Sequence, residues 1–324
     1  MFTANVLQID AAPEAERIAA AIRAQVLGTL HRRGAVVGMS GGIDSSVVAT
    51  LCVRALGPDR VFGLLMPERD SSDESLALGQ KLAEHLGIKY AVEDVAGPLA
   101  ALGCYTRQLE AIRSVFPEYG GGWRCKLTIR SILDSDRLNI TALTVEDPSG
   151  AQRTSRMSPA AYLQMVAATN FKQRARKMME YYHADRLAYA VAGTPNRLEY
   201  DQGFFVKQGD GAADFKPIAH LYKTQVFALA AHLGVPAEIR SRPPTTDTFS
   251  LPQSQEEFYF ALPYHEMDLC LWAYEHGTPA AEVGAALRLS AVQVERVYRD
   301  IEAKRRAAVY LHHPAIRIDE EKRP

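Results

Sequence analysis

Several absences narrow the reading before any motif is considered. No apolar run in the 324 residues approaches the ~20 that a membrane-spanning helix requires, so a membrane is not expected as a partner. Neither sign of charge dominates: 37 Lys and Arg oppose 38 Asp and Glu, a net charge of −1. That balance gives no electrostatic reason to expect nucleic acid or an anionic surface as a partner. Cysteine is scarce. Cys52, Cys104, Cys125 and Cys270 are dispersed, with no C-x-x-C and no cysteine–histidine set at zinc spacing. Cys125 has basic neighbours, Arg124 and Lys126, that could lower its pKa, although an ordinary thiol is the plainer reading. The N-terminus carries Asp10 and Glu14 and lacks a basic-then-apolar signal pattern, so a cytoplasmic protein is expected.

What is present is a substantial apolar fraction, 47%, enough for one large domain or two modest ones. The most informative stretch is Met39-Ser40-Gly41-Gly42-Ile43-Asp44-Ser45-Ser46. It follows the apolar run Ala35-Val36-Val37-Gly38 and precedes Val47-Val48-Ala49-Thr50-Leu51. That pattern predicts a buried strand, a loop of small residues and a helix start. Adjacent glycines let backbone N–H groups turn inward, and a helix N-terminus adds orphan donors and a positive dipole end. Ser40, Ser45 and Ser46 add hydroxyls, so the loop reads as a polyphosphate pocket. Asp44 would repel a phosphate unless a cation lay between them, which makes it a candidate Mg²⁺ ligand. A capped turn with no ligand is the bland alternative.

Further apolar runs at Arg60–Pro67, Ile88–Val92 and Leu187–Gly193 predict strands, and Ser72–Leu86 and Leu221–Leu233 predict helices stopped by Gly87 and Gly234. Residues 11–30 read as an amphipathic helix, and another is expected from Asn170 to about Arg186. Alternating strands and helices imply an α/β fold with a doubly wound parallel sheet, Rossmann-like, with ligands at the carboxyl ends of the strands. Residues 103–165 read as an irregular excursion or lid within a domain spanning 1–275. A helical C-terminal extension, 276–324, is expected to pack on that domain. Its two helices around Leu289-Ser290 superficially suggest a DNA-binding helix-turn-helix, but no basic patch supports one.

The loop is neither G-x-x-x-x-G-K-[ST] nor G-x-G-x-x-G. It resembles the SGG-x-D-S loop of the ATP pyrophosphatase (PP-loop) superfamily, whose fold is adenine nucleotide α-hydrolase-like. A second constellation sharpens the resemblance: Gly193-Thr194-Pro195-Asn196-Arg197-Leu198-Glu199, then Gly203-Phe204-Phe205-Val206-Lys207-Gln208-Gly209-Asp210-Gly211-Ala212-Ala213-Asp214, then Pro217-Ile218 through Leu221, Lys223 and Gln225. With Asn170, Arg174, Arg176 and the Arg242–Thr246 segment, these are similar to the NAD synthetase family of ammonia-dependent type. The resemblance implies ATP-dependent amidation of nicotinic acid adenine dinucleotide through an acyl-adenylate, giving NAD, AMP and pyrophosphate. A ligase of this kind acting on a different carboxylate is the alternative.

Carried over residue by residue, the resemblance assigns ATP and pyrophosphate to Gly38, Ser40, Gly41, Gly42, Ile43, Asp44, Ser45, Ser46, Met66, Thr194, Lys223 and Thr245. It assigns the metal, Mg²⁺, to Asp44 and Glu199, and catalysis to Asp44, Lys223 and Asp210. It assigns the acid substrate to Asn170, Arg174, Lys207, Asp210, Asp214 and His312. Arg174 and Arg176 cannot share a helix face; Arg174, four residues from Asn170, is favoured to reach the site. Lys223, at a helix start, is unfavourable for the dipole unless an anion binds there. The resemblance also implies a homodimer, with ammonia arriving free or from a separate glutaminase. The likeness is weak over residues 103–165, and three features depart from it: the residues following Thr245, the tail Tyr310-Leu311-His312-His313-Pro314, and Pro195.

Overall fold

A computed structural model describes residues 2–129, 131–133, 141–246 and 248–317. The chain's central sheet has four parallel strands: β1 (Ala35–Gly38), β2 (Val61–Leu65), β3 (Lys89–Val92) and, much later in the chain, β7 (Ala190–Ala192). Their spatial order is β3-β2-β1-β7. Helices Ile43–Leu56 and Asp73–Leu86 make the crossovers from β1 to β2 and from β2 to β3. The chain then returns to the other side of β1. The sheet therefore has a topological switch point beside the carboxyl end of β1, where open α/β sheets bind ligands.

Strand alternation separates two apolar layers. Ala35, Val37, Val61, Leu65, Ala190 and Ala192 face a core shared with the Ala11–Arg23, Ile43–Leu56 and Lys223–His232 helices. Val36, Leu64 and Val191 face the opposite core, under the long helix Pro159–Leu187. Helices on both faces make this a doubly wound α/β sheet, as the alternation of strand and helix patterns implies. The first helix matches its expected length by continuing from Arg23 into a wider turn, Ala24–Thr29.

Residues 103–165 are not the irregular excursion that the sequence implies. They hold a helix, Cys104–Arg113, and an antiparallel sheet of β4 (Arg124–Thr128), β5 (Ala142–Glu146) and β6 (Gln152–Arg156). The long helix also begins eleven residues before the expected Asn170, at Pro159, capped by Ser158. Its first buried positions, Ala161, Met165 and Ala168, have helical spacing, but two of the three are alanines, which leaves little amphipathic contrast. β6 is exposed along its whole length and carries no apolar residue. Pairing with β5, rather than burial, makes it a strand.

The segment 245–260, a departure from the resemblance, lies against this sheet. Leu251 N–H donates to Cys125 O at 3.0 Å, and Ile129 N–H donates to Glu257 O at 2.9 Å. Phe249 joins Leu127, Leu143, Val145 and Met165 in the small core beneath. Two segments far apart in sequence are thus one packing unit. Cys125 is buried in it, and burial raises its thiol pKa, so its basic neighbours do not activate it.

The C-terminal helices Tyr264–Glu275, Ala280–Leu287 and Ala291–His312 close a further core through Val283, Val294, Val297 and Ile301. Arg305 bonds Asp201 and Glu275, which ties the last helix to the body of the fold.

Candidate active site

The Ser40–Ser46 loop leaves β1 at the switch point. Gly41 has φ +72°, and a Cβ there would lie 2.4 Å from Ser75 O, so only glycine fits. Gly42 is the N-cap of the Ile43–Leu56 helix and makes no side-chain cap bond, which leaves first-turn N–H groups for a ligand. The serines divide their work. Ser40 and Ser45 line the cavity above the loop and bond to each other at 3.1 Å. Ser46 lies behind it, fully buried, donating to Gly42 O at 2.8 Å.

Lys223 is the first residue of its helix and is 1% exposed. The expected penalty for a cation there is offset by Asp268, which accepts from Lys223 N–H at 3.2 Å and Thr224 N–H at 2.6 Å. The lysine's Nζ reaches Asp44 Oδ2. Burial works against the ammonium, but Asp44 and Glu199 outweigh it and hold its pKa above the usual lysine value.

Asn196 connects the two acids. Its Nδ2 donates to Asp44 Oδ1 at 3.0 Å, and its Oδ1 accepts from Glu199 N–H at 3.2 Å. Glu199 Oε2 returns a bond to Asn196 N–H at 3.0 Å, a capping box for the short Arg197–Gln202 helix. Glu199 is therefore a helix-cap acid and a neighbour of Asp44 at once. Burial, with Asp44 adding to it, pushes the Glu199 carboxyl up to about 8. Two carboxyls that resist joint ionisation are a donor set suited to a hard divalent cation. Among the described residues, no cluster of three or more metal-ligating side chains forms. An ion would complete its shell with ligand oxygens and water.

Two cavities meet at the loop. The smaller, about 160 Å³, is walled by Gly38, Met66, Arg176 and Glu180. The larger, about 380 Å³, holds Asp44, Glu199, Lys223, Thr245, Asn170 and an aromatic wall of Phe204, Phe205 and Tyr259. Ser40, Ser45, Thr194, Asp210 and Thr246 line both. Asp210 accepts from Val206 N–H at 2.8 Å, and its burial raises the pKa of its carboxyl.

Other expected site residues lie elsewhere. Gly41 shapes the loop without lining either cavity. Arg174 is exposed and donates to Lys207 O, whereas Arg176 lines the smaller cavity, bonded to Met66 O at 3.0 Å and Ser71 Oγ at 3.2 Å. The helix faces do separate the two arginines, but Arg176 is the one turned inward. Lys207 Nζ is occupied by Tyr310 O and His313 O, at 2.8 and 2.7 Å. Asp214 holds Val191 N–H at 2.7 Å, bracing β7. His312 bonds Tyr200 O at 2.8 Å beside a separate surface cleft.

Sequence reasoning assigned no role to Asn196, Gln255, Asp268 or Lys172. The N-x-x-E spacing of Asn196 and Glu199 signals a capping box and could have revealed the first. Gln255, which bonds Glu199 Oε1 at 3.1 Å, and Asp268 carry no local signal. Lys172 is wholly buried, with Glu68 at 2.9 Å, Asp70 at 2.7 Å and Thr248 O at 2.8 Å.

Fold and site together define a doubly wound α/β protein that presents an anion-binding loop, a lysine and two coupled carboxyls at one switch point. Residues 14–114 and 131–308 match the family model described as NAD synthase. The NH(3)-dependent NAD(+) synthetase of Mesorhizobium japonicum is 67% identical over 307 residues, 95% of this chain and 96% of that protein. The chain belongs to the NAD synthase family. Two solved structures share the fold: an NMN synthetase from Francisella tularensis (TM-score 0.65, 21% identity, 96% of this chain and 100% of that one) and an NH3-dependent NAD synthetase from Campylobacter jejuni (TM-score 0.60, 22% identity, again 96% and 100%).

Proposed function

We propose that the protein is an AMP-forming amide ligase that amidates nicotinic acid adenine dinucleotide with ammonia at the expense of ATP, giving NAD. The observation that carries the reading is the meeting of Lys223, Asp44 and Glu199 at the Ser40–Ser46 loop, between two cavities. This is a PP-loop site. The β- and γ-phosphates of ATP sit on the loop's first-turn N–H groups, the base and ribose enter the smaller cavity, and the acid substrate fills the larger. The substrate carboxylate attacks the α-phosphorus, a P–O bond forms, and pyrophosphate leaves. Lys223 supplies positive charge to the departing group, and the loop holds it in line, so this step is mostly positioning and charge stabilisation. Ammonia then attacks the acyl carbon of the adenylate; AMP departs, and a proton is lost from nitrogen. Asp210, between the two cavities with a raised pKa, is placed to take that proton.

Asp44 and Glu199 would hold Mg²⁺, which when bound neutralises phosphate charge. Asn170 and Thr245 contribute to the larger cavity. Lys207, Asp214 and His312 line neither cavity, and we assign them to the part of the acid substrate that extends beyond the larger one, in a site formed partly across the dimer interface. Leu163, Met178 and Tyr182 on the long helix are 64, 60 and 58% exposed, and this apolar face supports a homodimer. Ammonia comes free or from a separate glutaminase, and the protein works in the cytoplasm.

The test is AMP and pyrophosphate release from Mg-ATP and ammonium, with and without nicotinic acid adenine dinucleotide. AMP formation dependent on the acid, with NAD as product, is the expected result. Nucleotide binding without turnover of this acid would sink the reading.

A further inference from the structure

The smaller cavity is lined by Glu180, one member of a charged pair that the reaction does not use. Lys177 and Glu180 are 5% and 7% exposed, and Lys177 Nζ donates to Glu180 Oε2 at 2.6 Å. Glu180 lies four residues beyond Arg176, so both side chains face the same cavity. Among the described residues, no hydrogen bond reaches Oε1 of Glu180. The bare backbone of Gly38 makes room for it: a Cβ there would lie 3.0 Å from Oε1. Glu180 lines the cavity, so this oxygen is an acceptor open to a ligand that can donate to it.

We propose that Glu180 selects the nucleobase, its free Oε1 accepting a hydrogen bond from the exocyclic 6-amino group of adenine. The proposal rests on the reading above that the base of ATP occupies this cavity. A 6-oxo purine in the same pose sets an acceptor against an acceptor. Lys177 cannot relieve that clash, because its ammonium is engaged by Oε2. Burial raises the Glu180 pKa, with Lys177 and Arg176 opposing the rise. The charged groups facing the carboxyl are those two cations and Asp210. Selectivity for the 6-amino base therefore grows with pH as the carboxylate forms, because the neutral acid can donate to a 6-oxo group.

The test is NAD formation with ATP, ITP and purine riboside triphosphate as alternative nucleotides. The wild type should favour ATP over ITP by about 100-fold in kcat/KM, and over the unsubstituted purine by about tenfold. Glu180→Gln should shift the ATP/ITP ratio toward ITP, because Lys177 would hold the amide oxygen and turn the NH₂ group to the base. The double variant Lys177→Met/Glu180→Leu removes both buried charges together, which protects folding, and should bring all three nucleotides within about threefold. Wild-type ratios retained in both variants would overturn the proposal. Failure of the wild type to form NAD from ATP would instead overturn the functional reading.

Discussion

The parallel sheet carries the loop that lines the larger cavity, the antiparallel sheet carries the 245–260 segment that walls it, and the two sheets were specified in different ways. β1, β2 and β7 are continuous apolar runs buried on both faces, and only β3, at the sheet's edge, is partly exposed, so the pattern can be read residue by residue. The antiparallel sheet has one apolar face at most. Its outer strand, β6, has none, and its stability comes from β5 on one side and from the 245–260 segment docked on β4. Local pattern defines the first sheet, while contacts between distant segments define the second. The Ser40–Ser46 loop belongs to the first and the cover of the larger cavity to the second, so the loop is locally encoded and the shape of the cavity is not.

The largest expected effect tests the first region. Asp44→Asn removes a charge from the loop and from Lys223, and should lower the rate of AMP formation by about 1000-fold; a loss under tenfold would remove Asp44 from the mechanism. Lys172→Met tests the junction of the two regions. It leaves buried Glu68 without a cation and Asp70 with Arg69 alone, at a cost of about 3 kcal/mol in unfolding free energy, and releases Thr248 O. If denaturant unfolding of this variant matched the wild type, the two regions would not be coupled through this lysine.

A pH effect follows from Glu199, whose carboxyl is pushed from an ordinary 4.5 up to about 8. The folded state then holds a proton that the unfolded state has lost. The stabilisation is complete below about 4.5 and is lost as pH rises through about 8. Ligand-free protein should accordingly lose thermal stability over that window, and Glu199→Gln should flatten the slope; an unchanged slope would mean that the fold does not hold a proton on Glu199. The smallest effect concerns the helix of Lys223. Asp268→Ala removes its cap and should cost about 1 kcal/mol, with kcat reduced more than the KM for ATP because the lysine loses its anchor. A fall in stability with kcat intact would make Asp268 a cap alone.

The match between expectation and structure follows the same division. The loop was legible because strand, turn and helix signals bracket it within a few residues, while Lys223 and Glu199 were brought to the same site by the resemblance. The N-terminal half of the long helix was missed because alanines at its buried positions give little contrast. Arg174 was favoured over Arg176 because spacing fixes which residues share a face but not which face turns inward. Lys207 has the composition of an anion ligand, yet the end of a helix about 100 residues away provides the carbonyls that occupy it.

By itself the sequence determined the parallel α/β architecture and the loop of small residues at the end of β1, with Asp44 in the first turn of the helix that follows. These depend on periodicity and on short-range backbone chemistry. Only the tertiary structure decided that Asn196 bridges Asp44 and Glu199, that Asp268 permits a lysine at a helix start, and that residues 103–165 and 245–260 form one packed unit. Each of these depends on which distant groups share a buried space. There, missing partners cost far more than in water, and no local pattern records who the neighbours will be.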